Sequence, residues 1–220
     1  MLDCVPGWQP NSPPGFPNVL IVANVAGEDG VPGVLGDGEA RWHTDMSYLE
    51  QPPVASVLHS LEIPPAGGDT CFMSMTAVLE RMPPGLRQEW GGRLLNHDSS
   101  HDSSGQLRPG QTRFADVSEA PGARHEAVRV HPETKRPSLF LGRRLHAHVV
   151  GESVAKSEAL LDSTWAFCES KREQAKLTYR HRWEVGDLLM WDNRCTMHRR
   201  DPFDSAARRV MHRTQIKEFS

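Results

Sequence analysis

The sequence predicts a mostly β protein, a double-sheet jelly roll with helices on its outside, and three observations carry that expectation. Short apolar or alternating runs of strand length recur from Val19 to Ile216. Many of the 18 glycines and 17 prolines stand between those runs, where they make turns. Only a few stretches show the spacing of an amphipathic helix. Many short strands with few helices pack sheet against sheet. At 220 residues of ordinary composition, one domain over 1–220 is expected, with enough chain for one sizeable core.

The elements follow in order. Met1 to Asn18 holds five prolines and two glycines, which neither propagate a helix nor donate fully to a sheet, so 1–18 reads as an irregular N-terminal arm. Val19 to Ala23 is the first strand, and a Gly-rich loop from Gly27 to Gly38 delivers the chain to Arg41-Trp42-His43-Thr44-Asp45. Val54 to Ile63 alternates as the next strand, stopped by Pro64-Pro65, and Gly67-Gly68 turns the chain into another strand from Asp69 to Met73. Thr76 to Met82 is helical in composition, Pro83-Pro84 ends it, and a second short helix is expected through Leu86 to Leu95. From about 96 to 124 the chain is rich in Ser, Gly, Asp and His without periodicity. That predicts a long polar lid or binding loop, with His97 and His101 in solvent. Ala127 to Val130 and Ser138 to Leu141 read as strands around a proline-bounded turn. Val154, Leu161, Trp165 and Cys168 fall at helical spacing over Ser153 to Lys171, an amphipathic helix covering the sheet. Leu177 to Trp183 and Leu188 to Trp191 are strands, the second buried, with a tight turn at Glu184 to Asp187.

Composition narrows the class. With 25 basic and 28 acidic residues the net charge is -3, and no run of Lys or Arg tracks a phosphate backbone, so nucleic acid is not an expected partner. Cys4, Cys71, Cys168 and Cys195 show no paired spacing, and the N-terminus has neither the basic flank nor the apolar run of a signal peptide. A reduced, cytoplasmic protein is expected. No apolar stretch approaches the roughly 20 residues needed to cross a bilayer, so no membrane partner is expected either.

His43 and Asp45 stand two residues apart, so on an extended strand they point to one side and make part of a metal site. A lone histidine far downstream, His198, completes two imidazoles and one carboxylate, the set that holds non-haem iron(II) with positions left open. The same ligands also suit a metal-dependent hydrolase using zinc, or a non-catalytic jelly roll that binds metal without turnover. In the last strand Arg209, Met211 and Arg213 share a face, with the guanidinium-bearing residues roughly 13 Å apart at about 3.3 Å per residue. Two cations aimed into one cavity are costly without anions. Either a ligand supplies them, or Arg213 pairs with an internal acid such as Asp69 or Glu39.

These residues belong to an ordered set: His43-Thr44-Asp45, then Gly67-Gly68-Asp69-Thr70, then Trp191-Asp192-Asn193-Arg194 with His198, then Arg208-Arg209-Val210-Met211-His212-Arg213. From Trp42 to about Lys217 the chain resembles the family of taurine and 2,4-dichlorophenoxyacetate dioxygenases, which depend on iron(II) and 2-oxoglutarate. The resemblance implies a double-stranded β-helix, the family's form of the jelly roll. It implies iron(II) on His43, Asp45 and His198, the far carboxylate of 2-oxoglutarate on Arg209 and Thr70, and Arg213 near the prime substrate. The implied reaction takes dioxygen and 2-oxoglutarate to succinate and carbon dioxide while hydroxylating an unactivated C–H bond of a small anionic substrate. Asp45 fits hydroxylation, because relatives that halogenate lack the carboxylate. Members are often homo-oligomers, and they usually carry more chain before the His-x-Asp stretch.

Overall fold

The computed structural model describes residues 11–25, 34–35, 40–102 and 105–217. It is mostly β with flanking helices, as expected. The chain enters as β1 (Leu20–Ala23), β2 (Val34–Leu35), β3 (Ala40–His43), β4 (Ala55–Glu62) and β5 (Thr70–Ser74). Helices α1 (Met75–Arg81) and α2 (Pro84–Glu89) lead to β6 (Leu94–Asp98), a 3-10 turn at Val117–Glu119, β7 (Gly122–Glu126), β8 (Val128–Val130), β9 (Pro137–Leu139) and β10 (His148–Val149). Then come α3 (Val154–Glu169), α4 (Lys171–Leu177), β11 (Thr178–His181), β12 (Leu188–Asp192), β13 (Thr196–Arg200) and β14 (Val210–Ile216). Most of the Gly27 to Gly38 loop and the first ten residues of the expected arm lie outside the described residues, and 11–18 are irregular.

Two sheets make the body, one ordered β12-β4-β14-β1-β2 and the other β11-β5-β13-β3. Strand alternation sends one set of side chains from each into the space between them. Leu20, Val22, Leu58, Trp191 and Met211 of the first sheet meet Phe72 of the second in one apolar cluster. The opposite face of the second sheet carries Trp42, Cys71, Met73 and Met197. There it packs on Val78 and Leu79 of α1, Leu161, Trp165 and Cys168 of α3, and Leu177 of α4. Burying a Leu- or Met-sized side chain contributes about 1.5–3 kcal/mol, so this helix-backed layer is a rigid support for β13 and β3.

Several expectations are corrected. The second helix ends at Glu89 rather than Leu95, because the chain turns through Gly91 and Gly92, the latter at φ +70°. Leu94 to Asp98 then pairs with β7 and β10 as strand. The polar stretch from 96 to 124 is therefore not structureless throughout, and His97 and His101 are buried rather than in solvent. Asn96, His97 and Asp98 have weak strand propensity, and tertiary pairing overrides it. Helix α4 is an addition, capped where the Ser170 hydroxyl accepts the Glu173 N–H. Finally, β12 is an edge strand, so Leu188 and Met190 are 66% and 68% exposed instead of buried.

Candidate active site

The metal-ligand residues meet through strand pairing. β13 lies against β3 with His198 opposite His43, which closes the long sequence gap, and the ring centroids stand 4.2 Å apart. β3 ends at His43, so Asp45 is not on the strand as expected but in the following turn. Asn193 places it there. The Asp45 backbone N–H donates to Asn193 Oδ1 at 2.9 Å, and Asn193 Nδ2 donates to the carbonyls of Asp45 and Pro53, each at 2.9 Å. The neighbouring Thr44 N–H donates to the Gly142 carbonyl at 2.8 Å. Asn193 is 1% exposed, so Asn193→Ala should strand buried backbone groups and destabilise the protein by about 2–4 kcal/mol, read as a lower unfolding temperature. An unchanged temperature would show that water replaces the amide.

Asp45 Oδ1 stands 3.6 Å from His43 Nε2 and 3.7 Å from His198 Nε2, and one ligand atom from each of the three residues lies within 4.8 Å of the others. Ligand atoms each about 2.1 Å from a common ion must lie within about 4 Å of one another, so a divalent ion needs only a small closure. Protonation suits it. A carbonyl can only accept, so the 2.7 Å contact between His43 Nδ1 and the Arg41 carbonyl puts the hydrogen on Nδ1 and leaves Nε2 free. Burial brings the His198 pKa down to about 3, helped by His43, which leaves the ring neutral. Burial alone would raise Asp45, but Arg213, then His198 and His43, outweigh it and hold the carboxyl well below the usual range.

The second oxygen of Asp45 is already committed. Oδ2 accepts from Ser56 Oγ at 2.6 Å and forms an ion pair with Arg213 Nη2 at 2.5 Å. So the acid that meets Arg213 is Asp45, not Asp69, which pairs with Arg180; Glu39 lies outside the described residues. Arg213 Nε remains buried without a hydrogen-bond partner.

Arg209 sits just before β14 and is 3% exposed. Its side chain reaches only a long 3.5 Å contact from Nη2 to the Gly68 carbonyl, and Nε has no partner. No carboxylate among the described residues pairs with it. Burial and the charge of Arg200 bring its pKa down to about 9. Gly67 and Gly68, at φ +76° and +71°, let the chain pass this close: a Cβ on Gly67 would lie 2.6 Å from the Pro202 carbonyl oxygen, and one on Gly68 3.3 Å from Arg209 Nε. The turn feeds Thr70, which is 3% exposed and whose hydroxyl accepts from Trp183 Nε1 at 2.9 Å. That hydroxyl keeps its own hydrogen for an anion.

Ser56, Trp183 and the clamping role of Asn193 were missed in the sequence. Ser56 had a signal, being a polar residue at an inward position of an alternating strand. A second group, His131, Asp192 and Cys195, has ligand atoms equally close together. It is a structural lock instead. His131 Nδ1 accepts the Glu133 and Thr134 N–H groups, so Nε2 donates to Asp192 at 2.9 Å, and Arg194 takes both Asp192 oxygens. His97 and His101 stand outside the metal group.

Known proteins resemble the chain as a whole. The 2,4-dichlorophenoxyacetate dioxygenase of Burkholderia sp. (strain RASC), described as alpha-ketoglutarate-dependent, is 33% identical over 198 residues, covering 89% of this chain and 64% of the relative. The (S)-phenoxypropionate/alpha-ketoglutarate-dioxygenase of Delftia acidovorans is 33% identical over 187 residues, 81% of this chain and 61% of its own. The chain thus spans less than two thirds of the length of these curated relatives. Among solved structures, AAD-2 in complex with Mn(II) and N-oxalylglycine superposes with a TM-score of 0.73 at 27% identity, over 92% of this chain and 73% of that one. Residues 6–215 match the family described as taurine catabolism dioxygenase TauD, TfdA, and the chain belongs to that family.

Proposed function

We propose that this chain is an iron(II)- and 2-oxoglutarate-dependent dioxygenase that hydroxylates an unactivated C–H bond of a small anionic substrate. The observation that carries the reading is the pairing of a His43, Asp45, His198 ligand group with a buried Arg209 that no acid among the described residues neutralises. A hydrolase needs no such cation, and neither does a storage site. The named relatives act on aryloxy carboxylates, which supports an anionic substrate.

Bound iron(II) supplies the oxidising chemistry that couples decarboxylation of 2-oxoglutarate to C–H hydroxylation. The chain's own residues bind and orient. His43 and His198 present their Nε2 atoms, and Ser56 and Arg213 hold Asp45 so that Oδ1 faces them. Arg209 takes the far carboxylate of 2-oxoglutarate with its planar fork, and Thr70, oriented by Trp183, donates its hydroxyl hydrogen. Arg213, with Nε unpartnered, takes the substrate anion. Phe72, Trp191 and Leu58 wall the space between the sheets and limit water.

The reading takes 1–220 as one domain and extends to a cytoplasmic, self-associating protein. Cys71, Cys168 and Cys195 are free, which fits a reducing compartment. Val185, Leu188 and Met190 are exposed apolar side chains of the kind that a homo-oligomer covers. Among the described residues no helix is long and apolar enough to cross a membrane.

Succinate release is the test, measured with iron(II), 2-oxoglutarate and a panel of aryloxyacids, sulfate esters, sulfonates and amino-acid derivatives. Iron(II) should support turnover, and zinc, which has no accessible redox chemistry, should inhibit by occupying the ligands. Equal activity with zinc would leave the hydrolase standing instead.

A further inference from the structure

The turn that follows Asp45 has no task in the chemistry above, yet it is strained. Met46 stands at φ +50°, a left-handed conformation that a residue with a Cβ disfavours, and the Leu49 N–H closes the turn on the Met46 carbonyl at 3.0 Å. Left to itself, such a turn relaxes by rotation at Met46, and that rotation moves the peptide joining Met46 to Asp45. Asn193 holds the near side of this peptide through the Asp45 carbonyl. The far side needs a hold of its own.

Strand β7 supplies it. Alternation turns Ala123 and His125 inward, where both are buried, and leaves Gly122, Arg124 and Glu126 exposed. From that face three successive carbonyls of the turn are taken: those of Ser47 and Leu49 by His125 Nε2, each at 2.9 Å, and that of Tyr48 by the Ala123 N–H at 3.2 Å. Carbonyls only accept, so the ring hydrogen sits on Nε2 and is shared between two of them. Burial, above all, and Arg129 lower the His125 pKa, which keeps the ring neutral. Its aim is fixed by two rings packed edge to face, His97 at 5.1 Å and Phe140 at 5.3 Å between centroids. Arg108, from the stretch expected to be a lid, stacks on the same turn, with its Cζ 4.5 Å from the centre of the Tyr48 ring.

We propose that His125 is a positioning residue for the metal: its shared N–H keeps the strained turn from relaxing, and so keeps Asp45 aimed at the two imidazoles before an ion arrives. The proposal rests on the reading of His43, Asp45 and His198 as metal ligands. It acts through Asp45 alone, since His125 is not among the ligand group.

Calorimetric titration of the metal-free protein with Mn(II) tests it without turnover. His125→Phe keeps a ring and removes the donor, whereas His125→Gln keeps an N–H at a similar reach. Mn(II) should bind His125→Phe about tenfold more weakly than wild type and His125→Gln within about threefold of it. Adding Met46→Asn, a residue that accepts the left-handed region, should bring His125→Phe back to within about threefold of wild type. A merely structural histidine would lower the unfolding temperature of His125→Phe and leave the Mn(II) affinity of the folded protein unchanged, and that result overturns the proposal. Equal losses in the Phe and Gln variants, or no recovery with Met46→Asn, overturn it too. If His125→Phe does not fold, hydrogen exchange in the wild type decides: the Leu49 amide inside the turn should exchange as slowly as the Ala123 amide that binds it, and faster exchange at Leu49 removes the hold. Wild type that fails to bind Mn(II) at all would end the ligand reading itself, and this proposal with it.

Discussion

Arg209→Met is expected to leave the metal-free protein at least as stable as the wild type while weakening N-oxalylglycine binding to the Mn(II)-loaded protein a hundredfold or more. The first half follows from what surrounds the guanidinium: it is buried, its Nε has no partner, and its other contact is the long one to the Gly68 carbonyl. Replacing a buried ion by an apolar group of similar volume is often neutral or stabilising, and here no acid is left behind uncompensated. The second half follows from the bidentate geometry. Losing two charge-assisted hydrogen bonds to a carboxylate costs about 3 kcal/mol or more, which is about a hundredfold in affinity. Arg209→Lys keeps the charge but not the fork and should lose about tenfold. Calorimetric unfolding and titration read both halves. Early unfolding of Arg209→Met would make the guanidinium a structural ion, and unchanged affinity would remove it from the co-substrate.

The residues that carry chemistry were legible because the site is built from types that are costly to bury otherwise. His43, Asp45, His198, Arg209 and Arg213 stand in the sequence as an ordered set, and the structure brings the three ligands together. What was not legible is what tertiary pairing decides. Asp45 faces the imidazoles not by strand alternation but because Asn193, 148 residues further on, clamps its backbone. The carboxylate partner of Arg213 could not be read from the sequence, since the turn that carries Asp45 is folded across β14 only in three dimensions. In the fold the same division holds: alternating Val54 to Ile63 announced itself, whereas Asn96 to Asp98 became strand through pairing with β7, against its propensity.

Arg213→Ala should give the most diagnostic pattern, because Arg213 serves Asp45 before a metal is present and an anion afterwards. Its Nη2 is 2.5 Å from Asp45 Oδ2, and both groups are buried or nearly so. Removing one partner of such a pair leaves an uncompensated charge and should destabilise the protein by about 3 kcal/mol. A divalent ion against Oδ1 supplies the missing countercharge, so Mn(II) should restore the unfolding temperature of the variant and bind as tightly as in the wild type or more tightly. With Arg213 present the balance reverses. Asp45 and the chelating carboxylate of 2-oxoglutarate contribute two negative charges, while a divalent ion and Arg213 contribute three positive ones. One anion is wanting beside Arg213, whose Nε already lacks a partner. An anionic substrate meets that need, so the loaded Arg213→Ala protein should keep N-oxalylglycine within about threefold and lose affinity for the substrate anion by a hundredfold or more. Titrating the loaded variant with the aryloxyacid or sulfate ester that supports succinate release decides it. Retained affinity would confine Arg213 to holding Asp45, and a parallel loss of Mn(II) would make it part of the metal site alone.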